Sequence, residues 1–119
     1  MKLLKESFRL NGLQYTLLNR NDVVALYGIG GTYSDEILHY EVDIIYIRND
    51  KYGIRETIAD NENFGRDRSQ CFIRKYLAYK YFDKLTSDLR NERNLSQGVP
   101  KVITGVEGNA EVILEPQMV

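Results

Sequence analysis

Residues 37–48, with the sequence ILHYEVDIIYIR, decide the fold because their side chains alternate more cleanly than those of any other segment. His39, Glu41 and Asp43 fall on one side of this stretch, and that side becomes apolar again near its end. A period of two residues indicates a β-strand. We therefore expect a central strand with one core face and a second face that is exposed at its start and covered at its end. The core face would be formed by Leu38, Tyr40, Val42, Ile44 and Tyr46.

The length and composition are those of a single globular domain. The chain has 119 residues, of which 43% are hydrophobic and 28% are charged. It is long enough for one core of ordinary density and too short for two. We assign residues 1–90 to a sheet with a helix, and residues 91–119 to a connector and a terminal hairpin of the same domain.

Several classes of site and location are excluded or disfavoured by what the sequence lacks. No apolar run approaches the roughly 20 residues that span a bilayer, and the first residues do not resemble a signal peptide. We expect a cytoplasmic protein that does not contact a membrane. Cys71 and His39 are each the only residue of their type, so the chain cannot form an internal disulfide or a structural zinc site. We expect no cofactor.

Charge is divided along the chain. Residues 35–62 contain eight acidic and three basic residues, a local net charge of −5, and residues 66–93 contain eight basic and four acidic residues, a net charge of +4. This division predicts either a surface with two electrical sides or two halves that neutralise each other within the fold.

Turn signals separate further strands. Asn11-Gly12 is typical of a tight type I′ hairpin between strands at residues 7–10 and 13–18. A reversal at residues 19–22 leads to a strand at residues 23–27, and a short edge strand is expected at residues 54–57. Gly28-Ile29-Gly30-Gly31 superficially resembles a phosphate-binding loop, but a strand follows it instead of the required helix, so we expect a flexible hairpin loop.

A long helix should pack one apolar face on the sheet. Asp67 and Gln70 have the spacing of a capping box, which predicts a helix from about Asp67 to about Arg90. Its apolar stripe would make Cys71 a small core residue rather than a nucleophile. The full stripe is Cys71, Ala78, Phe82, Leu85 and Leu89.

The start of this helix is more apolar than a one-sided surface helix requires. Phe72, Ile73, Tyr76 and Leu77 widen its apolar surface in the first two turns. Either this half is deeply buried, or it contacts something outside the domain. Burial is the interpretation that such stripes usually favour.

A terminal hairpin is predicted from Val102-Ile103 and Val112-Ile113-Leu114, which are separated by a glycine-containing turn. Two strands alone are rarely stable in water, so the hairpin needs a host. The host could be the sheet edge of the same chain, a second copy in a homodimer, or a partner.

Several short motifs resemble those of small uncharacterised proteins carried by phages and other mobile elements. They are Phe8-x-x-Asn11-Gly12-x-x-Tyr15, residues 24–27 and 40–42, and Asn61-Glu62-x-Phe64-Gly65 ahead of a helix. The resemblance covers about residues 7 to 85. It implies a β-meander followed by a helix, and it assigns no catalytic residue.

Two groups of side chains suggest chemistry. His39, Glu41 and Asp43 lie about 6.5 to 7 Å apart along one strand face and are weak candidates for a divalent cation site. Basic residues interleaved with tyrosines near the helix start suit single-stranded nucleic acid. The candidate partner-binding residues are Arg66, Arg68, Arg74, Lys75, Tyr76 and Tyr79 on the helix, with Val102, Ile103, Val112 and Leu114 on the hairpin.

Together these patterns predict an α+β fold: an antiparallel meander of four to five strands, one long helix packed on it, and a terminal hairpin. The function that we expect is non-enzymatic binding of a protein, as an accessory or anti-defence factor of a phage or mobile element. A nucleic-acid-binding accessory protein is the alternative, and a metal-dependent nuclease is the third interpretation.

Overall fold

The computed structural model describes residues 1–33, 36–59, 65, 67–95, 101–104 and 110–113. The fold is α+β, as predicted. Its elements in chain order are β1 (Ser7–Leu10), β2 (Leu13–Arg20), β3 (Val24–Gly31), β4 (Ile37–Ile44), β5 (Tyr46–Asp50), β6 (Gly53–Thr57), β7 (Gln70–Phe72), α1 (Lys75–Leu95), β8 (Lys101–Thr104) and β9 (Ala110–Ile113).

A five-stranded antiparallel sheet in the order β1-β2-β3-β4-β7 carries α1 on one face. The β1–β2 turn is the predicted hairpin, since Asn11 and Gly12 both have positive φ, at 53° and 77°. The predicted reversal before β3 is also present, because the Asn21 side-chain oxygen accepts hydrogen bonds from the amides of Val23 and Val24.

The helix packs against the middle of the sheet through a cluster that we call the helix-side core. The helix contributes Ala78, Phe82 and Leu85 to this core, and all three are buried. This confirms the predicted apolar stripe apart from Cys71. Asn21 also donates a side-chain hydrogen bond of 2.9 Å to Thr86, which ties the β2–β3 reversal to the helix. The sheet contributes Val23, Val24, Leu26, Val42 and Ile44 to this core.

The stretch 37–48 is not one strand. It breaks at Ile45, and its two halves join different sheets. The reason is that β3 begins at Val24, which is the partner of Ile44, so a longer strand would have no neighbour. The Ile45 amide instead donates to the Val23 carbonyl at 2.8 Å, and β5 continues into a second sheet with order β6-β5-β8-β9.

The segment predicted to begin the helix forms a turn and β7 instead. Asp67 accepts a hydrogen bond from the Ser69 amide, and Arg68 has a positive φ of 76°, which breaks a helix. The chain then pairs with β4, with Cys71 opposite Glu41. The helix therefore runs over Lys75–Leu95 instead of Asp67 to Arg90, and Cys71 lies on an edge strand, exposed, rather than in the helix stripe.

Gly28 to Gly31 belong to β3 and are not the flexible loop that we expected. A β-carbon at Gly28 would lie 2.8 Å from Cδ1 of Ile37 and 3.0 Å from Cδ1 of Leu18. The glycine is therefore needed where two side chains cross the strand closely.

The terminal hairpin, as far as the structure describes it, is docked on the same chain. The backbone of β8 pairs in parallel with β5, and β9 pairs with β8. Of the three hosts left open by the sequence, the sheet edge of the domain itself is the one used here.

Candidate functional site

Two groups of side chains can carry function: a carboxyl pair inside the sheet and a surface at the start of α1. The carboxyl pair is formed by Glu41 and Asp43 of β4, on the sheet face opposite the helix. Glu41 lies between Tyr27 of β3 and Cys71 of β7 in the strand register, and Asp43 lies opposite Ala25.

The expectation that this face is exposed at its start was wrong. Asp43 is completely buried and Glu41 is 7% exposed. The face is covered by aromatic rings, since Tyr27 contacts Phe8 edge-on at 5.4 Å between ring centroids and Tyr15 at 6.1 Å. Leu4 and Ile58 complete the cover from outside the five-stranded sheet.

Burial keeps at least one of the two carboxyl groups neutral. Neither carboxyl oxygen of Asp43 has a hydrogen-bond partner within the described residues. Burial, together with the charge of Glu41, raises the pKa of Asp43 to about 10. Burial also raises the pKa of Glu41. Asp43 is therefore protonated at neutral pH.

The surroundings of Cys71 lower its reactivity, although part of this residue is exposed. Its Sγ atom lies 3.9 Å from Oε2 of Glu41. Partial burial and the neighbouring carboxyl groups raise the pKa of the thiol to about 11. Because the thiolate is the nucleophile, Cys71 in this setting is a poor one at neutral pH.

The strand face does not form the exposed cation site that the nuclease interpretation required. His39 is partly buried and faces Ile29 across the register. Within the part of the chain that the structure describes, no three His, Cys, Asp or Glu side chains are placed to hold a metal ion. Asp43 in particular has no access to solvent.

The second group is a surface at the start of α1, which we call the helix-start surface. It consists of Ile73, Arg74, Lys75, Tyr76, Leu77 and Lys80. Ile73 is 84% exposed, Tyr76 is 64% exposed and Leu77 is 37% exposed. The interpretation that this half is deeply buried was therefore wrong for Ile73, Tyr76 and Leu77, whereas Phe72 lies in β7 and packs against the helix-side core.

Among the described residues, no side chain caps this end of the helix. The amide of Ala78 donates to the Arg74 carbonyl, which places Arg74 at the N-cap position. Ser, Thr, Asp and Asn are the residues that satisfy the free amides there, and arginine cannot accept a hydrogen bond from them. Arg74 and Lys75 also place positive charge at the positive end of the helix dipole, and the first turn contains no acidic residue.

The cations of this surface are available for a partner. Arg74, Lys75 and Lys80 form no ion pair with another described residue. The Lys75 ammonium lies 5.9 Å from the centre of the Tyr79 ring. None of the ion pairs between described residues joins the acidic stretch 35–62 to the basic stretch 66–93, so mutual neutralisation by direct pairing is not observed there.

The other predicted site residues are engaged in contacts within the fold or lie outside what the structure describes. Arg68 forms a two-armed ion pair with Glu92, with N–O distances of 2.9 and 3.3 Å. Tyr79 is partly buried against the helix-side core. Arg66 and Leu114 lie outside the described residues, and Val102, Ile103 and Val112 are described only as paired backbone in β8 and β9.

Comparison of the chain with family models, with curated proteins and with solved structures found no match. No helix among the described residues is long and apolar enough to cross a membrane. The function is therefore inferred from the carboxyl pair and from the helix-start surface.

Proposed function

We propose that the protein is a non-enzymatic binding module that recognises another protein through the helix-start surface. The single observation that carries this proposal is the exposure of Ile73, Tyr76 and Leu77 beside three cations that form no ion pair with another described residue. Aromatic residues, large apolar side chains and arginine are enriched where proteins bind one another.

The chemistry of the surface defines the partner. An acidic side chain of the partner could accept hydrogen bonds from the uncapped amides of α1 and neutralise Arg74 and Lys75. An apolar patch beside that acidic side chain would cover Ile73 and Tyr76. We therefore propose a protein partner that presents Asp or Glu next to apolar residues.

The test compares capture by matched variants. Wild-type protein, Ile73→Asp/Tyr76→Asp and Tyr52→Asp/Ile54→Asp are immobilised and exposed to a nuclease-treated extract of the source cells. Tyr52 and Ile54 are the control because they are also large and exposed, at 74% and 52%, but lie in the β5–β6 region. We expect a protein that wild type and the control retain and the helix-start variant loses. Identical retention by all three would contradict the proposal.

Nucleic-acid binding is a second candidate, supported by the same three cations, which lack an ion pair within the described part of the chain, and by the exposed ring of Tyr76. Two observations weaken it. Tyr79 and Tyr81 pack against the helix-side core, and the Tyr81 hydroxyl donates to the Arg68 carbonyl at 2.7 Å, so two of the three rings are not free to stack on bases. Retention on immobilised single-stranded DNA should then be weak, with a shallow dependence on salt. A steep loss of affinity with salt would instead favour nucleic acid.

The setting in a phage or mobile element, the anti-defence role and the homodimer stay predictions. The first two depend on the resemblance of short motifs alone. The homodimer would require the terminal hairpin to exchange its pairing with β5 between two copies.

A further inference from the structure

A cleft of about 370 Å³ lies between the N-terminal segment and the end of β6, away from the helix-start surface. Its volume is within the range of pockets that hold small molecules. Its walls are fixed by backbone hydrogen bonds, because the Lys2 amide donates to Ile54 at 3.1 Å and the Lys2 carbonyl accepts from Glu56 at 2.8 Å.

The floor of the cleft is apolar and aromatic. Phe8, Tyr27 and Ile58 line it. The Phe8 and Tyr27 rings hold each other in an edge-to-face contact, and the Tyr27 hydroxyl is already engaged with the Lys5 carbonyl at 3.2 Å. Tyr27 is only 1% exposed, so the surface that the floor offers to a ligand is the ring of Phe8 and the aliphatic side chain of Ile58, with Tyr27 behind them.

The rim of the cleft is positively charged. Lys2, Lys5, Arg9 and Arg55 line it, and the first three form no ion pair with any residue that the structure describes. Arg55 pairs with Asp50 through Nη2, and its Nε has no acceptor among those residues.

One acidic residue, Glu56, also lines the cleft, but its charge is already neutralised. Both of its carboxylate oxygens accept hydrogen bonds from Arg20, at 2.5 and 2.8 Å, and Oε1 also accepts one from the Leu4 amide. The rim therefore attracts anions, while the floor suits an apolar body.

We propose that this cleft binds a small organic anion, a molecule that carries a phosphate or carboxylate group on an aromatic or apolar body. The anionic group lies among Lys2, Lys5 and Arg9, and the body lies on Phe8 and Ile58. Charge-assisted hydrogen bonds hold the anion, and burial of the ring adds affinity that a bare inorganic anion cannot gain.

The experiment is an amide NMR titration of the full chain at constant ionic strength with four probes. Phenyl phosphate and benzoate test the two anionic groups, inorganic phosphate tests the anion alone, and benzyl alcohol tests the ring alone. We expect saturable shifts of the Leu4, Phe8 and Glu56 amides with at least one organic anion, and about tenfold weaker binding of the other two probes.

Variants assign the binding to the cleft. Lys2→Ala/Lys5→Ala should weaken binding of the organic anion about tenfold, because two cations of the rim are lost. Lys51→Ala/Lys84→Ala removes the same charge outside the cleft lining and should leave the affinity for the organic anion unchanged. Lys2 and Lys5 are both exposed, so the double variant should fold. If the NMR spectrum of Lys2→Ala/Lys5→Ala is not dispersed, Arg9→Gln is used in its place.

Three results would overturn the proposal. The first is a lack of saturable shifts with both organic anions. The second is binding of inorganic phosphate as tight as that of the organic anions. The third is an equal loss of affinity in the two lysine pairs, which would mean that net charge rather than the cleft attracts the probe.

Discussion

Asp43 lies at the centre of the sheet with a buried carboxyl group and, together with Glu41 beside it, makes the stability of the fold depend on pH. Its pKa rises from 3.8 when exposed to about 10 in the fold. Between these two values the folded state holds a proton that the unfolded state releases. The free energy of unfolding should therefore decrease as the pH rises from about 4 toward 10, and the contribution of Asp43 should be most favourable at low pH.

Asp43→Asn should abolish much of this dependence, because the amide cannot ionise. Near pH 4 the variant and wild type should be close in stability. At pH 7 the variant should be more stable by up to about 4 kcal/mol, since about three pH units separate pH 7 from the unfolded pKa. Denaturant melts from pH 4 to pH 9 measure this. Asp83→Asn, at an exposed helix position, is the control that should follow wild type, and a wild-type stability that rises with pH while Asp43→Asn stays flat would contradict the account.

Phe82 tests the helix-side core. It is 6% exposed among Val42, Ile44 and Leu85. Phe82→Ala should lower the free energy of unfolding by about 3 to 5 kcal/mol, because the lost ring leaves a cavity between helix and sheet. Urea denaturation at pH 7 measures the change. A loss below about 1 kcal/mol would mean that a different face of the helix is buried.

The sequence predicted the identity of the alternating residues around Asp43 but not their environment. Alternation indicates which side chains share a face of a strand. It does not indicate what covers that face, which here is decided by Leu4, Phe8 and Ile58, far away in the sequence. The basic cleft was missed for the same reason, because Lys2, Lys5 and Arg9 meet Arg55 only in the folded chain.

At the scale of elements, the start of α1 is the clearest departure from the sequence-based expectation. The polar residues that resembled a capping box form a turn instead. The Asp67 carboxylate accepts a hydrogen bond from the Ser69 amide, and the Ser69 hydroxyl accepts one from the Ile44 amide at 3.4 Å. The true helix start has arginine at its N-cap, so it carries no start signal that pattern analysis could find. The excess of apolar residues at positions 72–77 was the available signal for the surface there.

Arg74→Asp should stabilise the fold while weakening partner binding. Aspartate at the N-cap accepts a hydrogen bond from a free amide and matches the helix dipole, so we expect a gain of about 1 kcal/mol in the free energy of unfolding. Lys80→Glu, which reverses a charge inside the helix, is the control and should change stability by less than about 0.5 kcal/mol. Thermal and denaturant melts decide this. Destabilisation by Arg74→Asp would show that Arg74 is not at the N-cap.

The break at Ile45 could be predicted only in part. Ile44 and Ile45 are adjacent and both apolar, which interrupts the alternation. The pattern alone also fits a single strand that is covered on both faces at its end, and we expected that for residues 37–48. The first residue of β3 decides where β4 ends. Because the two strands are antiparallel, β4 has no partner in β3 beyond the pair of Ile44 with Val24.

At the scale of the whole molecule, the terminal hairpin extends the second sheet through parallel pairing of β8 with β5. A chain ending at Gly98 should therefore lose a neighbour of β5, and its melting temperature should fall while its five-stranded sheet and helix remain folded. Calorimetry and light scattering measure both properties. A full chain that is a monomer would support docking of the hairpin on its own sheet, and a dimer that becomes a monomer on truncation would support the predicted homodimer, with the hairpin exchanged between copies.

The central claim is that the helix-start surface is exposed for a partner and not for the fold. Ile73→Asp isolates it, because an 84% exposed side chain contributes little to folding. The variant should keep the free energy of unfolding of wild type within about 0.5 kcal/mol. Tyr52→Asp is the matched control.

The most direct measurement is the affinity of the captured partner for wild type, Ile73→Asp and Tyr52→Asp by calorimetric titration. We predict at least about a tenfold loss of affinity for Ile73→Asp, because a charged side chain would then face the apolar patch of the partner and lie next to its acidic side chain. We predict no change for Tyr52→Asp. Equal affinity of the partner for wild type and Ile73→Asp would contradict the claim.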